Sequence, residues 1–368
     1  MKKTIISALK ILLLPISLLY GFIIFIRNKM YDWKLASSVG FDVPVISVGN
    51  ITAGGTGKTP HIEYLIELFS SNYKVATLSR GYRRMTKGFI IADTHSTART
   101  IGDEPFQFHS KYPQTIVSVA EERMTAIPSL LQLRPDVQLV LLDDAFQHRS
   151  VIADIHILLT DYKRLYTRDY ILPFGLLRES KSGAKRAQII VITKCPENMS
   201  LDEKKNLINE INPTQNQTVY FSYIQYKPLY PLSVNQTQIN EQTNVLLVTG
   251  IANASYLINH LEKQFPFVHH LPFQDHHYFT INDIEEIIET FQNIDSQNKI
   301  IVTTEKDAAR LMLFQDKILS SKLPFYAQPI GVQFLFDEQT SFQNQLIHLV
   351  EKYYPSIDDL EVDFELIQ

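Results

Sequence analysis

Lys58 and Thr59, preceded by a crowd of glycines, are the residues whose chemistry is plainest in this sequence. They close the run Gly49-Asn-Ile-Thr-Ala-Gly-Gly-Thr-Gly-Lys-Thr-Pro60, which holds four of the 13 glycines among 368 residues: Gly49, Gly54, Gly55 and Gly57. Glycine loses more backbone entropy on folding than any other residue, so such crowding implies a main chain that must approach a ligand closely. Backbone N–H groups of Thr52, Ala53, Gly54, Gly55, Thr56 and Gly57 would surround phosphate oxygens. Lys58 would reach the β- and γ-phosphates, and the Thr59 hydroxyl a Mg²⁺ ion. One position departs from the G-x-x-x-x-G-K-[ST] pattern, since Thr52 stands where the first glycine belongs. The run implies a nucleoside triphosphate site.

Three further clusters carry groups useful to such a site. Leu139-Val-Leu-Leu142 ends in Asp143-Asp144, and a strand-end carboxylate is what supports Mg²⁺ beside a phosphate loop. Gly102-Asp-Glu-Pro105 puts two carboxylates in what reads as a turn. They would hold Mg²⁺ or take the proton of an attacking hydroxyl, although the pattern alone is also ordinary loop chemistry. Arg80-Gly-Tyr-Arg-Arg84, with Lys87 close behind, is either a solvated basic face or a grip on phosphate, Arg80 and Tyr82 included.

These groups need a scaffold that brings strand ends together. Val43–Val48 reads as a short buried strand ahead of the glycine run, and Ile62, Leu65, Ile66 and Phe69 recur after it at helical spacing. Further strands are expected at Lys74–Ser79, Ile155–Leu159 and Gln188–Ile192, with a basic loop from Arg168 to Arg186. Strands alternating with helices imply a doubly wound, mostly parallel α/β sheet of the P-loop NTPase type, whose strand ends share one crevice. Residues 213–244 turn rich in Asn and Gln, and read as a connector ribbon. A second, smaller α/β domain is expected over 245–368, opening with Val245–Gly250 and including a helix over Asn282–Phe291. The phosphate-loop core would then span 31–212, behind an N-terminal membrane-associated helix over 1–30.

Charge and hydropathy give that N-terminal segment its character. The chain carries a net charge of −4, against a general nucleic-acid binder. Residues 1–40 nevertheless hold six basic residues against Asp32 alone, so a cationic, apolar end sits on an acidic body and suits an anionic membrane surface. Ile11–Ile26 is uncharged, and as a helix it would reach roughly 24 Å, short of the ~30 Å hydrocarbon core. A signal peptide, a tilted span and a helix lying in one leaflet all compete. No small-x-small cleavage site follows, which favours a retained membrane-associated helix. Cys195 is the one cysteine, so no intrachain disulfide can form.

Taken in order, these stretches resemble the tetraacyldisaccharide 4'-kinase family, the lipid A 4'-kinases of Gram-negative bacteria. The resemblance rests on Val48–Pro60, Ser79–Tyr82, Gly102–Pro105, Asp143–Arg149, Gly175–Glu179, Thr193–Cys195, Phe273–His276 and Thr304–Asp307. Ala145 stands where the family usually has glycine. The resemblance implies transfer of the γ-phosphoryl of ATP, with Mg²⁺, to the 4'-hydroxyl of a tetraacyldisaccharide 1-phosphate at the cytoplasmic face of the inner membrane, in lipopolysaccharide biosynthesis. It implies Asp103 as the base for that hydroxyl, with support from His276 or its neighbour His277, and Lys58 at the transferring phosphoryl. Glu104, Asp143 and Asp144 would join Thr59 on the metal side, and Arg178 would meet the acceptor's phosphate. No nucleic acid and no obligate protein partner is expected. Two rivals remain at this stage. A membrane-docking ATPase switch of the partition type would need a lysine where Ala53 stands, and a GTPase would need Asn and Asp where Thr193 and Pro196 stand.

Overall fold

The computed structural model describes residues 13–235 and 237–354. Fourteen strands fall into two sheets among these residues. The strands are β1 (Val45–Gly49), β2 (Val75–Ser79), β3 (Ile90–Ile91), β4 (Ile116–Val119), β5 (Leu139–Asp143), β6 (Ile155–Asp161) and β7 (Ile189–Thr193). They continue with β8 (Thr218–Tyr226), β9 (Tyr230–Pro231), β10 (Asn244–Thr249), β11 (Phe267–Pro272), β12 (Lys299–Thr304), β13 (Phe325–Gln328) and β14 (Ile330–Phe334).

The larger sheet runs β14-β8-β7-β6-β1-β5-β2-β4-β3 and is parallel from β8 to β4. Its central strands β1, β2, β5 and β7 are buried along their whole length, as expected of parallel strands covered by helices on both faces. The Lys58–Phe69 helix follows β1 and buries Ile62, Leu65, Ile66 and Phe69, the stripe that the spacing predicts. Asp143 at the end of β5 lies in register with Val48 of β1, so the phosphate loop and the strand-end carboxylates leave the sheet on the same edge. The smaller sheet runs β11-β10-β12-β13-β9 and is parallel except for β9.

Sheet membership does not follow contiguous stretches of chain. β8, expected inside a connector, pairs in parallel with β7, and β14 returns from the smaller sheet to pair with β8. The Gln339–Glu351 helix then buries Phe342, Leu346 and Val350 in the same core as the phosphate-loop helix. The link between the sheets is therefore two crossings side by side, and at that point Gln328 Nε2 donates to the carbonyl of Lys227 at 2.6 Å. Gln and Asn richness marks polarity here, while the neighbouring aromatic residues Tyr220 and Phe221 are buried strand positions.

Before β1 runs a helix, Leu14–Asp32; residues 1–12 of the expected N-terminal segment lie outside the described residues. Its polar and small face is turned towards the protein. Ser17 Oγ donates to Ile171 O at 2.6 Å, Tyr20 OH to Arg178 O at 3.0 Å, and Asn28 Nδ2 to Glu179 Oε2 at 3.2 Å. Its apolar face, with Ile16, Leu18, Leu19, Phe22, Ile23 and Ile26, is exposed. Among the described residues no helix is long and apolar enough to cross a membrane.

Candidate active site

Thr52, the residue out of pattern, is accounted for by pairing. It forms an antiparallel bridge with Leu177, flanked by Ala53 N–H on Leu176 O and Arg178 N–H on Ile51 O, both at 2.7 Å. The start of the loop is thus zipped to the Gly175–Glu179 segment, where an extended side chain serves as well as glycine. Gly54 has φ +117°, a conformation open essentially to glycine. A Cβ added at Gly54 or Gly55 would meet nothing within 4 Å, so these two line open space above Lys58. Gly49 is different, because a Cβ there would sit 2.7 Å from the Phe146 side chain; it serves packing. The far side of the loop is tied down by Thr193 Oγ1, which donates to Thr56 O at 2.9 Å, and by Lys194, whose ammonium binds Gly55 O and Asp161.

Gly102-Asp-Glu-Pro105 is not a free turn. Gly102 (φ +96°) caps a helix, Asp103–Lys111, and both carboxylates sit in its first turn, where the helix dipole favours negative charge and proline lacks no needed N–H. Asp103 Oδ2 meets His276 Nδ1 at 3.1 Å and Arg310 Nε at 3.1 Å, the latter a charge contact without hydrogen-bond alignment. His277 turns elsewhere, its Nε2 3.0 Å from Asp283 Oδ2 in the cap of the Ile281–Asn293 helix. Glu104 Oε1 accepts from Lys306 Nζ at 2.6 Å. Burial alone would raise its pKa, and the Lys306 ammonium overrides that to hold it at about 2.

The paired carboxylates after β5 have unlike surroundings. Burial, and the charge of Asp144 next to it, push Asp143 up to about 6, and its Oδ1 is buried with no partner. Burial also opposes ionisation of Asp144, but Lys58 at 3.6 Å and Arg178 at 3.0 Å keep it below the ordinary carboxylate range. Asp144 is also where the backbone takes positive φ, +50°, whereas Ala145, which stands for the family's usual glycine, does not. Among the described residues no cluster of three or more His, Cys, Asp or Glu side chains would hold a metal alone.

Arg178 joins three parts of this edge. Its guanidinium holds Asp144, its N–H holds the phosphate loop, and its carbonyl receives Tyr20 of the N-terminal helix. Arg80 and Tyr82 are exposed at the mouth, and the Tyr82 ring lies edge-on to His276 with centroids 5.4 Å apart. Beyond Lys194 opens a cavity of about 320 Å³ lined by Tyr162, Cys195, Tyr223, Tyr226 and Tyr256 among others. Lys163 stands over the Tyr256 ring at 4.5 Å. Sequence reasoning assigned no role to Lys306 or Arg310, although the Thr304–Asp307 stretch was part of the resemblance. Nor did it single out Arg123, which is fully buried, with two guanidinium nitrogens unpartnered.

A parallel sheet with a glycine loop after its central strand, Gly-Lys-Thr opening the next helix and an aspartate ending the adjacent strand define a P-loop protein of the nucleotide-binding class. Comparison with known families narrows this: the model for tetraacyldisaccharide-1-P 4'-kinase matches residues 9–351, and the chain belongs to that family. A tetraacyldisaccharide 4'-kinase of Bacteroides thetaiotaomicron is 44% identical over 355 residues, covering 92% of this chain and 93% of that protein. One of Flavobacterium johnsoniae is 42% identical over 352 residues, covering 95% and 100%. The chain also resembles a crystal structure of LpxK from Aquifex aeolicus in complex with ATP, with 25% identity, a TM-score of 0.72 and coverage of 93% and 99%.

Proposed function

We propose that this chain transfers the γ-phosphoryl of ATP to the 4'-hydroxyl of a tetraacyldisaccharide 1-phosphate, a step of lipid A biosynthesis. The observation that carries the reading is the meeting of Asp103 with His276 at 3.1 Å beside an open phosphate cradle. A hydroxyl acceptor needs a proton acceptor, and a carboxylate beside the phosphate loop paired with a histidine from the second sheet provides one.

Lys58 and the amides of residues 54–59 bind the triphosphate, while Thr52 and Ala53, expected among the binding residues, are engaged with Leu177 and Leu176 instead, the Ala53 N–H going to Leu176 O. The acceptor oxygen forms a bond to the γ-phosphorus, the bond to the β-phosphate oxygen breaks, ADP leaves, and the hydroxyl proton passes to Asp103. His276 orients Asp103. Asp143, with its unpartnered buried oxygen, and Thr59 are the groups best fitted to hold Mg²⁺. When bound, that ion would neutralise charge on the phosphates. Glu104 and Asp144, each held by a cation, act in keeping Lys306, Lys58 and Arg178 in place. Arg178, with Arg80 and Tyr82 at the mouth, receives the acceptor's phosphate. The tyrosine-lined cavity beside Lys194 takes the nucleoside end of ATP, since aromatic faces suit a purine and Lys194 touches the loop itself.

The exposed apolar face of the Leu14–Asp32 helix rests in the surface of a membrane, at the cytoplasmic face of the inner membrane as the family resemblance implies. An apolar face turned outward and a polar face turned inward reverse the usual soluble pattern, and a lipid acceptor gives the reason. Incubation with ATP, Mg²⁺ and the disaccharide lipid tests the proposal: a product heavier by one phosphate is expected. ATP turnover of equal rate with and without the lipid, and no heavier lipid, would favour the ATPase switch instead.

A further inference from the structure

The Glu305–Leu311 helix holds the Asp103–Lys111 helix at three charged points, and only two are at the reacting end. Lys306 on Glu104 and Arg310 on Asp103 are those two. The third lies at the opposite end, where Lys111 Nζ is 2.9 Å from Glu305 Oε1 and 2.8 Å from Glu63 Oε2. Glu63 belongs to the phosphate-loop helix, one turn beyond Thr59, and its other oxygen accepts from Gln107 Nε2 at 2.7 Å. Glu305 Oε2 accepts from the Ile330 N–H at 3.3 Å, where the chain crosses back between sheets. Asp103, Gln107 and Lys111 follow one another at four-residue intervals, so one face of a single helix carries the base at one end and this junction at the other.

The junction lies roughly 12 Å along the helix from Asp103 and touches no reacting atom. Two carboxylates and one ammonium, taken out of water, are also a poor source of stability, because desolvation offsets their attraction. What they supply is register among three elements: the phosphate-loop helix, the helix of the base, and the helix of the smaller sheet. We propose that Lys111 is a positioning residue which, by joining Glu63 to Glu305, fixes the height and rotation of the Asp103–Lys111 helix and so aims Asp103 at the phosphate loop. The inference rests on the kinase reading above. It gives the smaller sheet a part in catalysis beyond His276: only with Glu305 seated is the lysine held from both sides. Burial pushes Glu63 up to about 7, with Lys111 opposing and Glu305 adding to the rise. Glu67, Tyr112, Lys227 and Tyr230 are the other ionisable groups around the cluster.

The test uses the full-length enzyme with ATP, Mg²⁺ and the lipid acceptor, comparing Lys111→Met, Lys111→Arg and Glu305→Gln. Lys111→Met is expected to lower kcat about 10- to 100-fold, as misplacement by about 1 Å does, with KM for ATP nearly unchanged. Lys111→Arg should recover most of that loss. Amide hydrogen exchange, read on the same proteins, should quicken in residues 103–111 while β5 stays protected. If Lys111→Met does not fold, Glu305→Gln, which keeps shape and removes one charge, carries the same expectation at about 10-fold. A kcat for Lys111→Met or Glu305→Gln within about twofold of the parent would overturn the inference, as would unchanged exchange in 103–111. Failure of the parent enzyme to phosphorylate the lipid would instead strike the kinase reading, and the exchange comparison would still judge the junction.

Discussion

Asp103→Asn removes the proposed proton acceptor while keeping the shape of the side chain, and the structure allows its consequence to be worked out. Asparagine can still accept from His276 through its remaining oxygen. Arg310, which is 2% exposed, keeps Asp307 at 3.3 Å as a charge partner, so the fold and nucleotide binding should survive. Loss of a positioned general base lowers turnover by about 10²- to 10⁴-fold, equivalent to about 3 to 5 kcal/mol of barrier. His276→Ala removes one hydrogen bond to a charged group, and should lower kcat by roughly 10-fold or somewhat more. If His276 acts only by orienting Asp103, the double variant should be no slower than Asp103→Asn alone, since residues working as a unit are not additive. The assay is steady-state transfer of labelled phosphate to the lipid, with thermal melting as the control for folding. Turnover by Asp103→Asn within about tenfold of the parent, or losses that multiply in the double variant, would refute the reasoning.

Other outcomes follow from the same coordinates. Gly54→Ala, at φ +117°, should cost about 1 to 3 kcal/mol of local strain and weaken ATP binding by about 10- to 100-fold, read by calorimetry. Leu18→Glu with Phe22→Glu puts charge on the exposed face of the Leu14–Asp32 helix. Losing two apolar side chains of about 1.5 kcal/mol each or more should cut binding to anionic vesicles about 100-fold, with soluble ATP contacts intact; unchanged cosedimentation would sink the docking proposal. Glu63 has a folded pKa raised from 4.5 to about 7. The folded state therefore holds its proton more tightly, and the associated stability is present below about pH 4.5 and lost as pH rises to about 7. Glu63→Gln should flatten that part of the stability profile, by up to about 3 kcal/mol, in chemical denaturation at stepped pH.

The phosphate loop and the strands around it were legible because they are local: glycine spacing, apolar runs and helical stripes each act within a dozen residues. The Asp103–His276 meeting was reachable only by resemblance, since 173 positions separate the partners and no periodicity crosses that gap. Three details could not be read at all. Asp103 and Glu104 begin a helix instead of forming a turn, because Gly102 supplies a cap whose φ leaves no mark in composition. The return of β14 to β8 was hidden, because a strand's partner is set by topology and not by its own residues. Lys306 lay in a quoted stretch and Arg310 three residues beyond it, yet their value depends on buried carboxylates contributed by the other sheet.

Under the proposed function, one arrangement would tie the lipid to the nucleotide without requiring the acceptor to leave the membrane. Tyr20 and Asn28 fasten the apolar helix to Arg178 and Glu179, and the backbone of that same segment is paired with Ile51 and Ala53 at the entrance to the phosphate loop. The helix with the exposed apolar face, the arginine proposed for the acceptor's phosphate and the phosphate cradle thus form one body on the larger sheet. His276, Lys306 and Arg310 arrive from the smaller sheet over a two-strand link. Under the proposed function, lipid and ATP can both be held by the larger sheet before the smaller one brings His276 and Arg310 to Asp103. Removing water at that last moment is what limits hydrolysis of ATP in a kinase. The expected signature is an ATP turnover without acceptor that stays low in the parent enzyme. In Arg310→Met, where the Asp103 contact from the smaller sheet is weakened, transfer to lipid should fall more than hydrolysis does. Equal losses in the two reactions would separate Arg310 from the coupling argued here.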